Sequence, residues 1–584
     1  MDSRLKINGK LPRSRIVIAS GCRATTLETI LNYSDRIPGI GIFTTKSIGP
    51  APNAGNPPPI YCAAFDQGYL ARRNAVGLAN PGIEEFEKEL AWLRKESPDL
   101  DGALLLGSAY GSDIEEMLKV CRHMAPYVDA IELNFSCPHA RGYGLDTGRD
   151  ADAMARIVSS VQKATGNDVF AKLSPNLTDA ELIDIAKACV GAGARGLTLI
   201  NTADPGEAYL PGTRVPILFN RKGGLSGEAI TQQGFESVNT VREAVGDGPL
   251  IIGMGGVRSG DDVRDYIESG ADLVGIGTVM EGMDSGTLAD YVRQLDMDIS
   301  NGMDEACYVM SESPDLEYIH AKISSIEHLS DDLRIFHFDD SISADPCQYL
   351  FLAVPGDETR PTMEAPFSIP IADSVVLAVR RHDPKGREHH FTSRLWETQE
   401  GDVLFMRGPY GVPFKRILGK NLYLVGGGTG SAALASIAER VDDFTAFIGA
   451  KSTNELLFEE IFNKGDCYTA TEVYSPFSYQ GYVTDLFERE MRGDYSDRGI
   501  VVTCGPTPMM QKVVEIANRK GFPDDRIHVV MEPYMKCGVG ICGSCSDADG
   551  NISCTDGHIM TGDVFKRYAV QGKLKRNACG GWER

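Results

Sequence analysis

The sequence predicts an α/β fold: an N-terminal (β/α)8 barrel, then a small antiparallel β-barrel, an α/β unit and a cysteine-rich terminal segment. Three observations predict this order. Eight apolar strands alternate with amphipathic helices in the first half, short alternating strands begin near residue 318, and a strand, a glycine-rich turn and a helix begin near residue 421. A doubly wound open sheet is the competing architecture for the first half, because it also alternates strands with helices.

Eight apolar segments of the first half are strand candidates: residues 15–20, 39–47, 102–109, 130–137, 168–175, 196–202, 249–256 and 273–278. Helical segments lie between them, such as Ile83–Glu96 and Asp179–Gly191. In the second of these helices Leu182, Ile185 and Cys189 recur on one face, so we expect Cys189 to belong to the core. Eight strand–helix units favour a closed barrel.

A barrel of this kind carries its active site at the carboxyl ends of its strands, and polar groups collect there in this sequence. A single lysine or glycine at a strand end has an ordinary structural explanation, but eight coincident ends favour a ligand site. Gly255, Gly256 and Gly277 end the last two strands and offer backbone N–H groups to a phosphate. Lys46 and Lys172 can direct cations at an electron-rich ring such as a reduced flavin. Amides suited to a planar, multiply hydrogen-bonding substrate come from Asn74, Asn134 and Asn201.

Seven segments in the first 300 residues resemble one family in sequence and in order: TTKSIG, RRNAVGLANPG, ELNFSCPH, AKLSPNLTD, LTLINT, TRVPILFNRKGGLSG and IIGMGG. They look like the dihydroorotate dehydrogenase barrel, in the branch that pairs with an iron–sulfur flavoprotein. The resemblance implies that the barrel binds FMN through Ala19, Ser20, Lys46, Asn134, Lys172, Ser226, Gly227, Gly255, Gly256, Gly277 and Thr278. It also implies a pyrimidine substrate held by Lys46, Asn74, Asn134, Asn201 and Thr202.

Cys137 would be the general base of that reaction. Oxidising dihydroorotate removes a hydride from C6, which the flavin accepts, and a proton from C5, which a group on the opposite face must accept. A thiol with an ordinary pKa of about 8.5 can do this near neutrality if its site lowers that value. A buried structural cysteine is the alternative that the residue type alone leaves open.

His139 follows the Cys-Pro pair at a position where we expect asparagine in the bacterial members, and it is a further candidate substrate contact. Cys-Pro-His is also similar to the dihydropyrimidine dehydrogenases, which reduce uracil and thymine on the same barrel. The alternatives to dihydroorotate oxidation are therefore NADH-dependent reduction of uracil or thymine, and a non-catalytic electron-transfer scaffold.

Apolar periodicity lapses before residue 314, which predicts a linker that contains Cys307, a cysteine without an assigned role. Short alternating strands then predict the small β-barrel. Residues 421–425 form a predicted strand, residues 431–441 a predicted helix, and the turn between them consists of Gly426, Gly427, Gly428, Thr429 and Gly430. Such a turn can place a pyrophosphate at a helix N-terminus, although the full dinucleotide-binding pattern is incomplete.

A later strand, residues 499–503, leads into Cys504, Gly505 and Pro506. The small barrel, the glycine turn and this Cys-Gly-Pro turn resemble, in this order, the ferredoxin-reductase family. The resemblance implies that NAD lies over the two turns. It also implies that FAD lies across the small barrel, at Pro366, Phe367 and Ser368 and at Gly408, Pro409, Tyr410 and Gly411.

Four cysteines of the terminal segment have the spacing C-x4-C-x2-C-x8-C: Cys537, Cys542, Cys545 and Cys554. This spacing is close to the plant-type 2Fe-2S arrangement, and Gly538, Gly540 and Gly543 allow backbone N–H groups to approach the sulfurs. A zinc site is the competing interpretation. The CTDG sequence at residues 554–557 resembles the electron-transfer subunit of dihydroorotate dehydrogenase, which implies that two subunits are fused here. Cys579 lies outside the ligand spacing.

Composition excludes several partners. The chain has 584 residues, a formal net charge of −23 and 14 cysteines, and its pI of about 4.9 disfavours nucleic acid and anionic membranes. The first residues lack the apolar region of a signal peptide and no apolar run is long enough to span a membrane, so we expect a cytoplasmic protein with reduced cysteines. Family habit implies a homodimer.

The sequence as a whole predicts an enzyme of pyrimidine (UMP) biosynthesis that oxidises dihydroorotate and passes electrons from FMN through 2Fe-2S and FAD to NAD+. The expected domains are a barrel over residues 1–300, a linker over 301–317, an FAD-binding β-barrel over 318–418, an NAD-binding α/β domain over 419–530 and a 2Fe-2S domain over 531–584.

Overall fold

The structure is a computed structural model that describes residues 3–66, 69–135, 147–301, 315–371, 374–382, 390–415, 421–492 and 499–583. The strands of its N-terminal half are β1 (Ile16–Ile18), β2 (Ile40–Thr44), β3 (Tyr61–Asp66), β4 (Tyr69–Asn74), β5 (Leu104–Ala109), β6 (Ala130–Asn134), β7 (Asp168–Lys172), β8 (Gly196–Leu199), β9 (Ala203–Glu207), β10 (Lys222–Gly227), β11 (Leu250–Met254) and β12 (Leu273–Ile276). The helices of this half are α1 (Leu27–Arg36), α2 (Ile83–Glu96), α3 (Ile114–Met124), α4 (Ala151–Thr165), α5 (Asp179–Gly191), α6 (Thr231–Val245), α7 (Gly260–Glu268) and α8 (Ser285–Asn301).

Eight of these strands form a closed parallel barrel in the order β1-β12-β11-β8-β7-β6-β5-β2. The predicted (β/α)8 barrel is confirmed, and the open-sheet alternative is excluded because β1 pairs with both β2 and β12. Most of the observed strands end before the predicted polar residues, because those residues leave the hydrogen-bonded ladder and face the end of the barrel. A second sheet, β3-β4-β10-β9, was not predicted.

The barrel helices begin at residues that sequence reasoning can recognise. Thr178 and Glu181 form a reciprocal capping box at the start of α5, and Ser259 and Asp262 form another at the start of α7. Helix α5 buries Leu182, Ile185 and Cys189 against the barrel. The prediction that Cys189 belongs to the core is therefore confirmed.

The next part of the chain contains one antiparallel sheet and a short helix, α9 (Phe391–Leu395). Its strands are β13 (Ile319–Ser330), β14 (Leu333–Phe338), β15 (Tyr349–Val354), β16 (Met363–Ser368), β17 (Val376–Arg380) and β18 (Val403–Tyr410). Their order is β16-β15-β18-β13-β14-β17, and within the described ranges the sheet does not pair end to end into a full barrel. Strand β16 was not among the predicted strands; it contains Pro366, which its edge position tolerates.

The last part is a mainly parallel sheet with helices. Its strands are β19 (Asn421–Gly427), β20 (Thr445–Ala450), β21 (Asp466–Thr471), β22 (Tyr479–Gln480), β23 (Gly499–Cys504), β24 (Ile527–Val530) and β25 (Ile559–Thr561), in the order β22-β21-β20-β19-β23-β24-β25. Its helices are α10 (Ser431–Ala438), α11 (Glu459–Phe462), α12 (Val483–Glu490), α13 (Thr507–Arg519), α14 (Ser553–Asp556) and α15 (Gly562–Gln571).

Two details of this sheet differ from the prediction. Gly426 and Gly427 continue β19 instead of belonging to the turn, because Gly426 pairs with both β20 and β23 and Gly427 pairs with β20. Strand β25 belongs to the cysteine-rich segment and pairs antiparallel with β24, so this segment is an extension of the sheet.

One group of packed buried apolar side chains joins the parts of the chain. It runs from the barrel strands and helices to the four cysteines and on to Tyr349, Phe351 and Tyr410 of the antiparallel sheet. Across the ranges that the structure describes, none of the helices combines the length and the apolar character needed to cross a bilayer.

Candidate functional site

A cavity of about 380 Å³ opens at the carboxyl ends of the barrel strands. All predicted barrel site residues that the structure describes line it: Ala19, Ser20, Lys46, Asn74, Asn134, Lys172, Asn201, Thr202, Ser226, Gly227, Gly255, Gly256, Gly277 and Thr278. Asn74, Ser226 and Gly227 reach it from β4 and β10, so the unpredicted sheet forms part of the wall. Cys137 and His139 lie outside the described residues.

A hydrogen-bonded network holds the amides of the cavity. Asn134 Nδ2 donates to Ser47 Oγ at 2.9 Å, and Asn201 Nδ2 lies 3.4 Å from Asn134 Oδ1. The hydroxyls of Ser47 and Ser108 lie 2.8 Å apart, and the Ser108 hydroxyl donates to Glu132 Oε1 at 3.2 Å. The sequence places Ser47 and Ser108 at predicted strand ends without assigning them a role, and it does not single out Glu132 within its strand.

Positive charge enters the cavity from two sides. Lys172 is buried at the end of β7 and Lys46 follows β2. Burial and the nearby Lys536 ammonium lower the pKa of Lys46 to about 8. Cys22 also lines the cavity, and burial raises the pKa of its thiol.

Bare backbone forms the side of the cavity beyond β11. Gly255 and Gly256 have φ of 131° and 71°, a region that favours glycine. A Cβ on Gly256 would overlap the hydroxyl of Thr231, so only glycine allows this close packing. Tyr266 fixes the turn by donating from its hydroxyl to the Gly255 carbonyl at 2.8 Å. This exposed backbone suits a phosphate group.

A buried ionic group that sequence reasoning missed also lines the cavity. Glu281 accepts hydrogen bonds from Arg72 Nε at 2.7 Å and from the Tyr61 hydroxyl at 2.8 Å. No described residue forms a hydrogen bond with its Oε1, and burial raises the pKa of this carboxyl despite the Arg72 charge. The three residues come from β3, β4 and the segment after β12, so no local pattern connects them.

The cysteine-rich segment completes the cavity wall with Ile541 and Cys542. All four predicted cysteine ligands are between 1% and 3% exposed. Gly540 N donates to Cys554 Sγ at 3.1 Å, and Cys542 N lies 3.5 Å from Cys537 Sγ. Glycines with φ between 66° and 80° make these approaches possible: Gly538, Gly540 and Gly543.

These thiols fit a 2Fe-2S cluster through burial, glycine-rich backbone and N–H groups directed at sulfur. In the described parts of the chain no three His, Cys, Asp or Glu side chains are already grouped around one ion position. A 2Fe-2S cluster is not bound in that way, since its four thiolates are divided between two irons. Cys579 is half-buried and Cys307 lies outside the described residues.

The two segments predicted to hold FAD are brought together around Tyr349. Ser368 at the end of β16 and Tyr410 at the end of β18 pair with Tyr349 from opposite sides. Pro366 and Phe367 precede Ser368 on β16 (Met363–Ser368), whereas Gly408 and Pro409 precede Tyr410 on β18 and Gly411 follows it.

Two buried polar atoms beside these segments have no hydrogen-bond partner in the part of the chain that the structure describes: the Tyr349 hydroxyl oxygen and His558 Nδ1. The two rings meet edge to face at 5.9 Å. Burial lowers the pKa of His558 to about 4. Unsatisfied buried groups of this kind fit a polar ligand that would supply their partners.

The two turns predicted to hold NAD also meet. Gly426 pairs with Cys504 between β19 and β23. A Cβ on Gly430 would lie 2.7 Å from the Gly505 Cα, so the glycine turn and the Cys-Gly-Pro turn are packed against each other. Gly427 at the end of β19, the turn residues Gly428 and Thr429, and Pro506 adjoin this contact. None of these residues lines the barrel cavity.

Comparison with known proteins shows that two regions of the chain are each similar to a different protein. The family model described as dihydroorotate dehydrogenase matches residues 4–295. A Methanocaldococcus jannaschii protein named dihydroorotate dehydrogenase B (NAD(+)), catalytic subunit, is 42% identical over 249 residues, covering 43% of this chain and 78% of that protein. The Thermoplasma acidophilum protein of the same name is 36% identical over 257 residues, covering 44% of this chain and 80% of that protein.

A second Methanocaldococcus jannaschii protein matches a different part of the chain. It is named probable dihydroorotate dehydrogenase B (NAD(+)), electron transfer subunit, and is 34% identical over 264 residues, covering 44% of this chain and 95% of that protein.

Proposed function

The chain belongs to the dihydroorotate dehydrogenase family, and from this premise we propose that it oxidises dihydroorotate to orotate and reduces NAD+ within one polypeptide. It is an oxidoreductase in which relatives of two separate subunits are joined. The observation that carries the proposal is the shared cavity wall. Ile541 and Cys542 of the cysteine segment line the same cavity as the barrel residues, so the electron-transfer half reaches the substrate half directly.

FMN is the proposed occupant of the barrel cavity, and when bound it supplies the hydride acceptor. What supports this is the combination of the buried Lys172 and the half-buried Lys46 with the bare backbone at Gly255 and Gly256, which suits a phosphorylated, electron-rich ring. We assign the FMN contacts to the residues predicted from the family resemblance.

Substrate binding is proposed for Lys46, Asn74, Asn134, Asn201 and Thr202. The fixed amides of Asn134 and Asn201 present donors and acceptors to a planar ring, while the Lys46 ammonium would pair with the substrate carboxylate. Cys137 is the proposed base that takes the C5 proton, and His139 a proposed substrate contact.

The proposed order of electron carriers is FMN, the 2Fe-2S cluster, FAD and NAD+. Its support is the position of the cysteine segment, which meets the barrel cavity on one side and β18 on the other, where Arg407 Nη1 donates to the Cys537 carbonyl at 3.0 Å. Domain boundaries at residues 300, 317, 418 and 530 are part of this proposal.

The test uses the full chain purified with its cofactors. Dihydroorotate and NAD+ should yield orotate, NADH and a proton in equal amounts. NADH-driven reduction of uracil with inert dihydroorotate would overturn the proposal in favour of the dihydropyrimidine activity. Absence of both reactions from a cofactor-loaded protein would support the scaffold alternative.

Substitution of the proposed base separates the two halves. Cys137→Ser should reduce dihydroorotate oxidation by about a hundredfold or more while NADH still reduces an artificial acceptor. Cys467→Ser, at a half-buried cysteine of β21, is the matched control and should change neither rate. Unchanged dihydroorotate oxidation in Cys137→Ser would exclude the proposed role of the thiol.

A further inference from the structure

The turn after β1 lies between the substrate cavity and the cysteine segment. Cys22 lines the cavity, while the next residue, Arg23, donates from its backbone N to the Ile541 carbonyl at 2.7 Å. Thr25 Oγ1 donates to the Cys542 carbonyl at 3.3 Å. This short piece of the barrel is therefore in direct contact with the backbone that carries the proposed cluster ligands.

The Arg23 side chain is fully buried and poorly neutralised. Its Nε donates to the Tyr33 hydroxyl at 2.8 Å and its Nη1 makes a long contact of 3.4 Å to the Met280 carbonyl. Within the described ranges its Nη2 has no hydrogen-bond partner, and the Asp556 carboxylate lies 3.9 Å from it. Burying a charge in this way is costly unless a counter-charge lies close by.

Among the described residues, three other buried arginines have a much closer carboxylate, while Arg394 at 9% exposure donates to the Pro355 and Pro361 carbonyls. Arg72, Arg407 and Arg576 each have a carboxylate oxygen within 2.8 Å. Arg23 differs from all three because its nearest carboxylate is more than one ångström further away. Its positive charge is therefore available to another negative group in the same low-dielectric region.

That negative group is the proposed cluster. A Cβ on Gly540 would lie 2.7 Å from Arg23 Nη1, so the guanidinium rests on this glycine. The N–H of the same glycine donates to Cys554 Sγ at 3.1 Å. Only one peptide unit separates the buried cation from a proposed ligand sulfur.

We infer that Arg23 is a positioning residue for electron transfer: its charge stabilises the reduced cluster, so the barrel sets the potential of a centre held by the C-terminal segment. Reduction adds one electron and no proton, and the added negative charge interacts with the guanidinium more strongly than the oxidised cluster does. The electron comes from the reduced flavin of the proposed reaction. This inference rests on the proposed 2Fe-2S assignment.

The test is a redox titration of the full, cofactor-loaded chain followed by the electron paramagnetic resonance signal of the reduced cluster. Arg23→Gln removes the charge and should lower the ratio of reduced to oxidised cluster about tenfold at the wild-type midpoint, a shift of about 59 mV for one electron. Arg23→Lys retains the charge and should restore most of this shift. Arg13→Gln, which removes a guanidinium that donates to barrel carbonyls near the start of β2, should leave the midpoint unchanged.

An iron-loaded Arg23→Gln variant with the wild-type midpoint would overturn the inference. If the Arg23 variants do not incorporate iron, Asp556→Asn is the deciding variant. Loss of this carboxylate, the nearest counter-charge of Arg23, should raise the fraction of reduced cluster. An unchanged midpoint in Asp556→Asn would also overturn the inference. A wild-type protein without a 2Fe-2S signal would instead contradict the cluster assignment in the proposed function, so the two failures are distinguishable.

Discussion

Lys46 illustrates how a single residue in the cavity depends on a distant part of the chain. Lys536, immediately before Cys537, is 2% exposed and donates to the carbonyls of Ala54 and Asn56 at 3.0 and 3.3 Å. Burial, and then the Lys536 charge, lower the pKa of Lys46 to about 8. The ammonium proposed to bind the substrate carboxylate is thus close to losing its proton in the physiological range.

This pKa predicts how orotate affinity depends on pH. Below about pH 8 Lys46 is protonated and pairs with the orotate carboxylate, whereas above it the free protein loses this charge and the affinity falls. Well above pH 8 the orotate affinity should fall by about a factor of ten per pH unit, because Lys46 loses one proton. Orotate titrations followed by flavin absorbance between pH 6.5 and 9.5 measure it.

Lys46→Arg is the matched variant, since a guanidinium stays charged over this range. It should bind orotate with an affinity that no longer falls above pH 8. A fall of the same size in the variant would show that another group causes the pH dependence.

At the scale of elements, the cysteine segment approaches the barrel through positions that only glycine can occupy. A Cβ on Gly543 would overlap Thr25 Oγ1, and a Cβ on Gly550 would overlap the Glu28 carbonyl. Gly282 N also donates to the Val539 carbonyl at 3.0 Å. Backbone contacts at this joint hold Cys542 in the cavity wall.

Gly543→Ala is therefore expected to disturb the joint. Gly543 and Gly572 both have φ of 66°, so alanine pays a similar backbone cost of about 1–2 kcal/mol at each. Of the two, only Gly543 has a neighbour that the added methyl group overlaps, since no atom of the described residues lies within 4 Å of a Cβ on Gly572. Gly543→Ala should lose bound iron and dihydroorotate-to-NAD+ turnover, and Gly572→Ala should retain both.

Iron and sulfide content per chain, together with turnover, provide the measurement. Equal iron content and equal turnover in the two variants would show that the contact with Thr25 is not needed to shape the cysteine segment.

At the scale of the whole molecule, the barrel and the C-terminal segment share a buried charge group as well as an apolar core. Glu28 of α1 accepts from Arg576 at 2.8 Å, and Lys573 and the Trp582 indole lie 3.4 and 3.3 Å from it. Burial alone would raise the pKa of Glu28, but the charges of Arg576 and Lys573 hold it below its usual value. The two ends of the sequence are thereby fixed to each other.

Glu28→Ala should destabilise this joint by about 3–5 kcal/mol, because it leaves the Arg576 charge buried without its carboxylate. Glu84→Ala removes an exposed partner of Lys119 and should change stability by less than about 1 kcal/mol. Thermal unfolding of the full chain at neutral pH compares the two. Equal midpoints in the two variants would contradict a stabilising role for the joint.

The sequence by itself determined the elements and the local motifs. The alternation of apolar segments with amphipathic helices predicted the eight barrel strands. The residues at the strand ends predicted the cavity wall, because in a parallel barrel all carboxyl ends face one side. Local spacing also singled out the four cysteines, which the structure buries, and the two glycine-containing turns of the α/β sheet, which pack against each other; their ligands stay predictions. These features depend on neighbours within a few residues, which a sequence displays directly.

Only the tertiary structure decided what lies between these motifs. Three of its contacts join residues that are far apart in sequence. Glu281 bonds to Arg72 and Tyr61, Arg23 packs against Gly540, and Cys542 lines the barrel cavity. Burial increases the strength of these charge interactions and hydrogen bonds, because the interior has a low dielectric constant. Burial is a property of the packed chain, and no local pattern of residues records it.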